Sequence, residues 1–205
     1  MASGSKRLPR AVREQQMLDA AVEVFSDNGY HGTSMDAIAA RAQISKPMLY
    51  LYYNSKEELF AACIRRDAGA FAEALAPAGD PGLTPREQVQ AALVGFLTFV
   101  DTHRRSWMVL YRQAIGQQAF ASEVRTTRER LIALAAALLA AGSRVPMTDR
   151  EAHLTAVALV GAGEAVADRV AGGEIDVADA LDVLMDMAWY GLAGRKPAEA
   201  HEPTA

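Results

Sequence analysis

Between positions 45 and 52 the chain carries Ser45, Lys46, Pro47, Met48, Tyr50 and Tyr52: three hydroxyls, one ammonium and one soft apolar side chain, with no acid, histidine or cysteine among them. That set suits nucleic-acid reading better than bond making. An ammonium donates to the N7 and O6 acceptors of guanine, a methionine packs against a thymine methyl, and hydroxyls donate to phosphate oxygens. Thr33, Ser34 and Ser45 stand at expected helix starts, where free amides and hydroxyls together favour an anion. Upstream, Lys6, Arg7, Arg10 and Arg13 put four cations and no acid into the first 13 residues. Such an arm can touch phosphates or enter a minor groove.

Enzyme chemistry finds little support. His31, His103, His153 and His201 are scattered, and neither His-Glu-x-x-His nor Gly-x-Ser-x-Gly occurs. Gly161-Ala-Gly163 falls inside an expected helix, so it is no dinucleotide loop. Glu164 and Asp168 form an acid pair on one helix face with no further ligands to make a metal site. No catalytic residue, metal or cofactor is therefore expected. Cys63 is the only cysteine, which rules out an internal disulfide and suggests a reducing compartment. The longest wholly apolar run, residues 131–141, is far shorter than a membrane span, and the basic start lacks the apolar core of a secretory signal. A cytoplasmic location is expected.

The net charge of -4 hides an asymmetry. Residues 1–66 hold nine Lys+Arg and seven Asp+Glu, a balance of +2, and the remainder holds twelve and eighteen, a balance of -6. A basic head on an acidic body orients a protein on a polyanion.

The elements that must hold these residues are all helical. Strand-like alternation is nearly absent, and Ala, Leu, Glu, Gln, Arg and Met fill long stretches. A first helix over 10–27 is expected to stop at Asn28-Gly29. Thr33 with Asp36 has the form of a capping box for a short second helix over 34–42. Ser45 and Pro47 open a third helix that ends near Tyr53, and Ser55 with Glu58 opens a fourth toward Leu75. Pro77 to Gly82 is the clearest linker. Five more helices are expected at 85–102, 106–117, 122–141, 148–171 and 176–192, for about nine in all.

From Phe25 to Phe60 the chain reads FSDNGYHGTSMDAIAARAQISKPMLYLYYNSKEELF, which resembles the DNA-binding segment of the tetracycline-repressor (TetR) family. The likeness rests on Phe25, Gly29 and Tyr30, on Thr33 and Ser34, on Ile38 and Ala39, on Ser45 to Tyr50, and on Tyr53, Lys56, Glu58 and Leu59. The family usually has Phe where this chain has Tyr53, often His at Tyr52, and commonly Gly at Pro47. The segment from Arg7 to Leu18, with its later GY, SKP and LY, also resembles actinobacterial regulators of fatty-acid synthesis, which respond to acyl-CoA.

The resemblance implies an all-α fold with an N-terminal helix-turn-helix and a C-terminal ligand-binding and dimerisation domain. It divides the chain into a basic flexible arm (1–13), the helix-turn-helix (14–54), a connecting helix (55–76), the ligand and dimer domain (77–195) and a disordered tail (196–205). The DNA-contacting set is then Arg7, Arg10, Thr33, Ser34, Ser45, Lys46, Pro47, Met48, Tyr50, Tyr52 and Lys56. Tyr50 is favoured for phosphate because the family carries a phosphate-contacting tyrosine there, and Lys56 sits at the family's backbone-contacting position. Neutralising Lys56 is expected to weaken binding to all sequences and flatten its salt dependence.

The expected ligand pocket comprises Phe96, Leu97, Val100, Trp107, Met108, Tyr111, Phe120 and Leu134, with an apolar or amphipathic effector. Arg104, Arg105 and Arg112 lie near enough in sequence to serve an anionic headgroup. The expected dimer face is Leu154, Ala158, Gly161 and Ala165 on the penultimate helix with Leu181, Leu184, Ala188 and Gly191 on the last. The last helix carries a second apolar stripe, Ala180, Val183, Met187 and Tyr190. The function expected is a repressor that binds a palindromic operator as a homodimer and is released by its effector. The alternatives are an all-helical protein-interaction module without DNA binding, or an acyl-CoA-responsive activator.

Overall fold

The computed structural model describes residues 9–108 and 120–191. Among them there is no strand. The helices are α1 (Arg10–Gly32), α2 (Met35–Arg41), α3 (Lys46–Tyr52), α4 (Lys56–Leu75), α5 (Pro85–Thr102), α6 (Arg104–Ser106), α7 (Ala121–Gly142), α8 (Asp149–Ala171) and α9 (Val177–Met185). A short 3₁₀ turn, Ala76–Gly79, follows α4, and α9 runs on as a π turn, Asp186–Tyr190. The helix expected at 106–117 lies mostly outside the described residues. The chain divides into two units, one from residues 1–70 and 103–126 and the other from 71–102 and 127–205.

In the first unit, Met17, Ala21, Phe25, Ile38, Leu49, Leu59, Phe60 and Cys63 are fully buried in one apolar core. Their spacing on α1 to α4 is the helical one, so each helix turns a single stripe inward. Aromatic rings knit the centre: Phe60 lies edge-on to Phe25 at 4.8 Å and to Tyr30 at 5.0 Å, and Phe120 closes on Phe60 at 4.7 Å. Such pairs add to simple area burial. Cys63 is enclosed here, and burial pushes its thiol up to about 12.

The expected stop at Gly29 is a kink and not an end. Gly29 takes φ 70° and ψ 168°, a conformation open to glycine, and helical geometry resumes through Gly32. The Thr33 hydroxyl bridges back to this segment, its one hydrogen shared between Gly29 O at 2.7 Å and Val24 O at 3.2 Å. Ser34 therefore caps α2, its Oγ accepting from Ala37 N at 3.1 Å. The Thr33–Asp36 capping box is corrected accordingly.

The turn from α2 to α3 is closed by two backbone bonds. Gln43 N donates to Ala40 O and Ile44 N to Ala39 O, with Gln43 at φ 54°. This is the double-bonded helix C-terminus that ordinarily places glycine where Gln43 stands.

In the second unit, the last turn of α4 crosses α5 at backbone distance. A Cβ on Gly95 would lie 2.0 Å from Ala74 O, so only glycine admits this crossing. Phe71 packs its ring on Phe96 at 6.0 Å and Phe99 at 5.1 Å. Thr84 and Glu87 cap α5 reciprocally, and Thr148 and Glu151 do the same for α8. Arg128 on α7 grips Glu164 on α8 through two bonds, 2.8 and 3.2 Å long.

Candidate functional site

Helix α3 has one buried and one open side. Leu49 is fully enclosed and Tyr53, just past the helix, is buried, which fixes the rotation of the helix. Ser45, Lys46, Pro47 and Tyr50 are consequently exposed, and so is Leu51, at 76%. Pro47 occupies the first turn, where its missing amide hydrogen removes no bond. Ser45 stands at the N-cap without a side-chain cap bond.

The start of α1 lies beside α3. The Arg10 guanidinium sits 5.3 Å from the Tyr52 ring centre, and Arg13 Nη1 donates to Met48 Sδ at 3.7 Å. Tyr53 Oη donates to Glu14 Oε1 at 3.3 Å, and Gln16 Nε2 to Ala42 O at 3.0 Å. Burial first, and then the Glu14 charge, push the Tyr53 phenol well above its ordinary range. Two arginines are thus held next to the exposed edge of α3. Arg7 lies outside the described residues.

Lys46 meets a carboxylate from the neighbouring helix. Its Nζ is 2.8 Å from Asp36 Oδ1 and 2.9 Å from Oδ2, with both side chains largely open to solvent. The hydrogen bond to Asp36 and the charge behind it raise the Lys46 ammonium above its ordinary range.

Three expected contact residues are placed differently. Thr33 is 3% exposed and its hydroxyl serves the α1 kink, so it cannot reach a phosphate. Met48 is half-buried against the core, and its sulfur accepts from Arg13. Lys56 bends back: Nζ donates to Tyr30 O at 2.8 Å and Thr33 O at 2.9 Å and lies 4.5 Å from the Tyr30 ring centre. Its charge sits at the carbonyl end of α1, where a cation is favoured. Tyr30 closes the loop by donating from Oη to Glu57 Oε1 at 2.9 Å. Burial, then that bond and the Glu57 charge, push the Tyr30 phenol up to about 12.

Within the second unit, α5, α7 and α8 enclose a cavity of about 60 Å³. Phe96 and Leu134 line it as expected, joined by Val89, Ala92, Leu93, Leu131, Ala135, Leu138, Leu139, Leu159, Val160 and Gly163. No polar side chain is among them. Leu97 and Val100 are fully buried but do not line it. Phe120 belongs to the core of the first unit and Trp107 is buried within that unit, so neither is a wall. Met108 is exposed, and Tyr111 lies outside the described residues. The walls that were missed come from small and branched residues on α5, α7 and α8, which nothing in their spacing distinguishes from ordinary core.

The family model for bacterial regulatory proteins of the tetR family matches residues 17–63, and that for the tetracyclin repressor-like C-terminal domain matches 85–191. The chain belongs to the TetR family. A curated TetR relative, the HTH-type transcriptional activator FasR of Mycolicibacterium smegmatis, is 30% identical over 91% of this chain and 86% of its own. The crystal structure of a TetR-like transcriptional regulator from Rhodococcus sp. RHA1 is 68% identical and covers 92% of this chain and all of that one, with a TM-score of 0.84. FadR from Bacillus subtilis, solved in complex with stearoyl-CoA, shares the fold at a TM-score of 0.74 and 17% identity, over 86% of this chain and 98% of its own. The chain is a DNA-binding transcriptional regulator of the TetR family and not an enzyme.

For a TetR protein the outer face of the C-terminal unit is a second point of interest. Leu154, Ala158 and Ala165 are exposed on α8, and Gly161 has open space where its Cβ would stand. On the last helix the two stripes separate. Leu184 and Ala188 are buried within the unit and Leu181 is half-buried, whereas Val183, Met187 and Tyr190 face outward and Gly191 is exposed. The expected interface is corrected on this helix: Leu184 and Ala188 of the stripe chosen from sequence belong to the unit's own core, and the other stripe is open except at Ala180, which is buried. A groove of about 320 Å³ runs between α8 and the π turn, lined in part by Ala158, Met187 and Gly191.

Proposed function

We propose that this regulator binds a palindromic operator as a homodimer, represses transcription there, and is released by an amphipathic effector with a long apolar chain. The observation that carries the DNA side is the exposed edge of α3, Ser45, Lys46, Pro47 and Tyr50, with Arg10 and Arg13 held beside it. A helix whose buried side is locked and whose N-terminal edge offers donors is what a major groove admits. Titrating the full protein against duplexes selected from random sequence, at several salt concentrations, tests it. No sequence-dependent complex at low ionic strength would leave only the interaction-module alternative.

The effector side rests on the cavity, whose walls are apolar throughout. At about 60 Å³ it is small for a chain-bearing ligand, so occupancy requires α5, α7 and α8 to move apart. A ligand that binds the opened state better shifts the population toward it, and an opened state whose reading heads no longer match two half-sites releases DNA. Stearoyl-CoA, the ligand carried by FadR of Bacillus subtilis, is the first probe. It should lower operator affinity where free CoA does not.

The name of the FasR relative favours a second reading, activation. Transcription in vitro from a promoter carrying the selected operator separates the two by the sign of the response.

A further inference from the structure

We propose that Asp36 is a specificity filter for operator recognition, holding the Lys46 ammonium off phosphate while leaving it donors for a base. The inference rests on the reading of α3 as the helix that meets DNA and adds a residue on α2 to it. An ammonium has three N–H donors. The two Asp36 oxygens, at 2.8 and 2.9 Å, belong to one carboxylate and share one N–H direction, so the others remain. The pair spans the helix-turn-helix at its open edge, Asp36 in the first turn of α2 and Lys46 as the first residue of α3.

Stability does not explain the pair. Both side chains are more than half exposed, where ion pairs contribute little, and a cation at a helix start opposes the helix dipole. Its effect on DNA is larger. Binding without sequence preference comes from cations that neutralise phosphates and release counterions, each contact steepening the salt dependence by about 0.9. A Lys46 already matched by Asp36 adds nothing to that. A guanine edge can accept a remaining N–H without opening the pair. Asp36 therefore weakens binding to every sequence but weakens the right one least, and specificity is that difference.

The test uses the full chain with Asp36→Asn, Lys46→Met and the double variant, measured on the selected operator and a scrambled duplex between 50 and 200 mM salt. Asp36→Asn should steepen the scrambled-duplex salt dependence by about 0.9, a three- to four-fold effect across that range. The operator-to-scrambled ratio should fall by at least about three-fold. In the Lys46→Met background, Asp36→Asn should change neither. Lys46→Met alone should weaken the operator and leave the scrambled slope as it was.

An unchanged slope and ratio in Asp36→Asn overturns the filter. So does the same change with Lys46 absent, since Asp36 would then be a plain repulsive charge. A scrambled slope flattened by Lys46→Met would place Lys46 on phosphate and overturn it as well, even if Asp36→Asn failed to fold. A wild type that cannot tell operator from scrambled DNA is a different result: it removes the DNA reading itself, and the filter with it.

Discussion

Lys56 shows how a residue type can be legible and its task not. Its place at the opening of the fourth helix, equivalent to a backbone-contacting position of the family, suggests a phosphate contact, yet the ammonium turns inward to the carbonyls of Tyr30 and Thr33. The Tyr30 carbonyl also accepts a long bond from Thr33 N, at 3.4 Å, and Thr33 lies past the end of α1; a hydrogen bond to a charged group is worth about 1.5–3 kcal/mol. Lys56→Met should therefore lower stability by about 1–2 kcal/mol in urea unfolding. Operator affinity should fall while its salt dependence stays unchanged, because no phosphate contact is lost; a slope flatter by about 0.9 would return Lys56 to the backbone-contacting set. Tyr30, in the same cluster, carries a pH signature. Its folded pKa of about 12 lies above the unfolded value near 10, so the folded state holds the proton more tightly. The associated stability is present below pH 10 and lost as pH rises from there through 12. Tyr53 pushes the same way, so melting curves from pH 9 to 12 should fall less steeply in Tyr30→Phe without becoming flat.

At the scale of elements, helix existence was written in caps and stripes. The expected 85–102 helix appears as α5, Pro85–Thr102, and the later α7 and α8 begin and end within a residue of expectation. Thr84–Glu87 and Ser55–Glu58 announce two of these starts locally, through bonds between near neighbours. What stayed hidden was tertiary. Thr33 and Ser34 are equally good caps in sequence, and only the kink decides which hydroxyl is free to cap α2. Phe120 is a large apolar residue beside others of its kind, and only packing sends it to the first core. Two junctions make predictions at this scale. Gln43 holds a left-handed conformation at φ 54°, so Gln43→Gly should stabilise the protein by about 1 kcal/mol, read from the urea midpoint. Gly95→Ala places a methyl where Ala74 O stands, so α4 and α5 must part; a loss of about 1–3 kcal/mol or more is expected. A neutral result would mean that this crossing yields freely.

The molecule as a whole is decided on the last helix, where either apolar stripe could have been the outer one. Leu184 is 1% exposed and Ala188 is likewise buried, so the core claims that stripe. Val183 at 61% and Tyr190 at 63% exposed remain, with Met187 between them and Leu154 open on α8. Apolar groups of this size on two helices suit the isologous interface of the proposed homodimer. The stripes then separate folding from assembly. Val183→Glu with Met187→Glu leaves the unit's own core untouched, so the thermal transition should stay cooperative while sedimentation shows a monomer. Leu184→Glu buries a charge and should unfold the C-terminal unit outright. A monomer still reads a half-site, but it loses the second head, whose tethering is worth about 10²–10⁴ in affinity. The double variant should therefore bind a palindrome at least about 100-fold more weakly than the wild type, and no better than it binds a single half-site. If it sediments as a dimer and keeps full operator affinity, Val183 and Met187 are ordinary surface, and the two reading heads must be joined elsewhere.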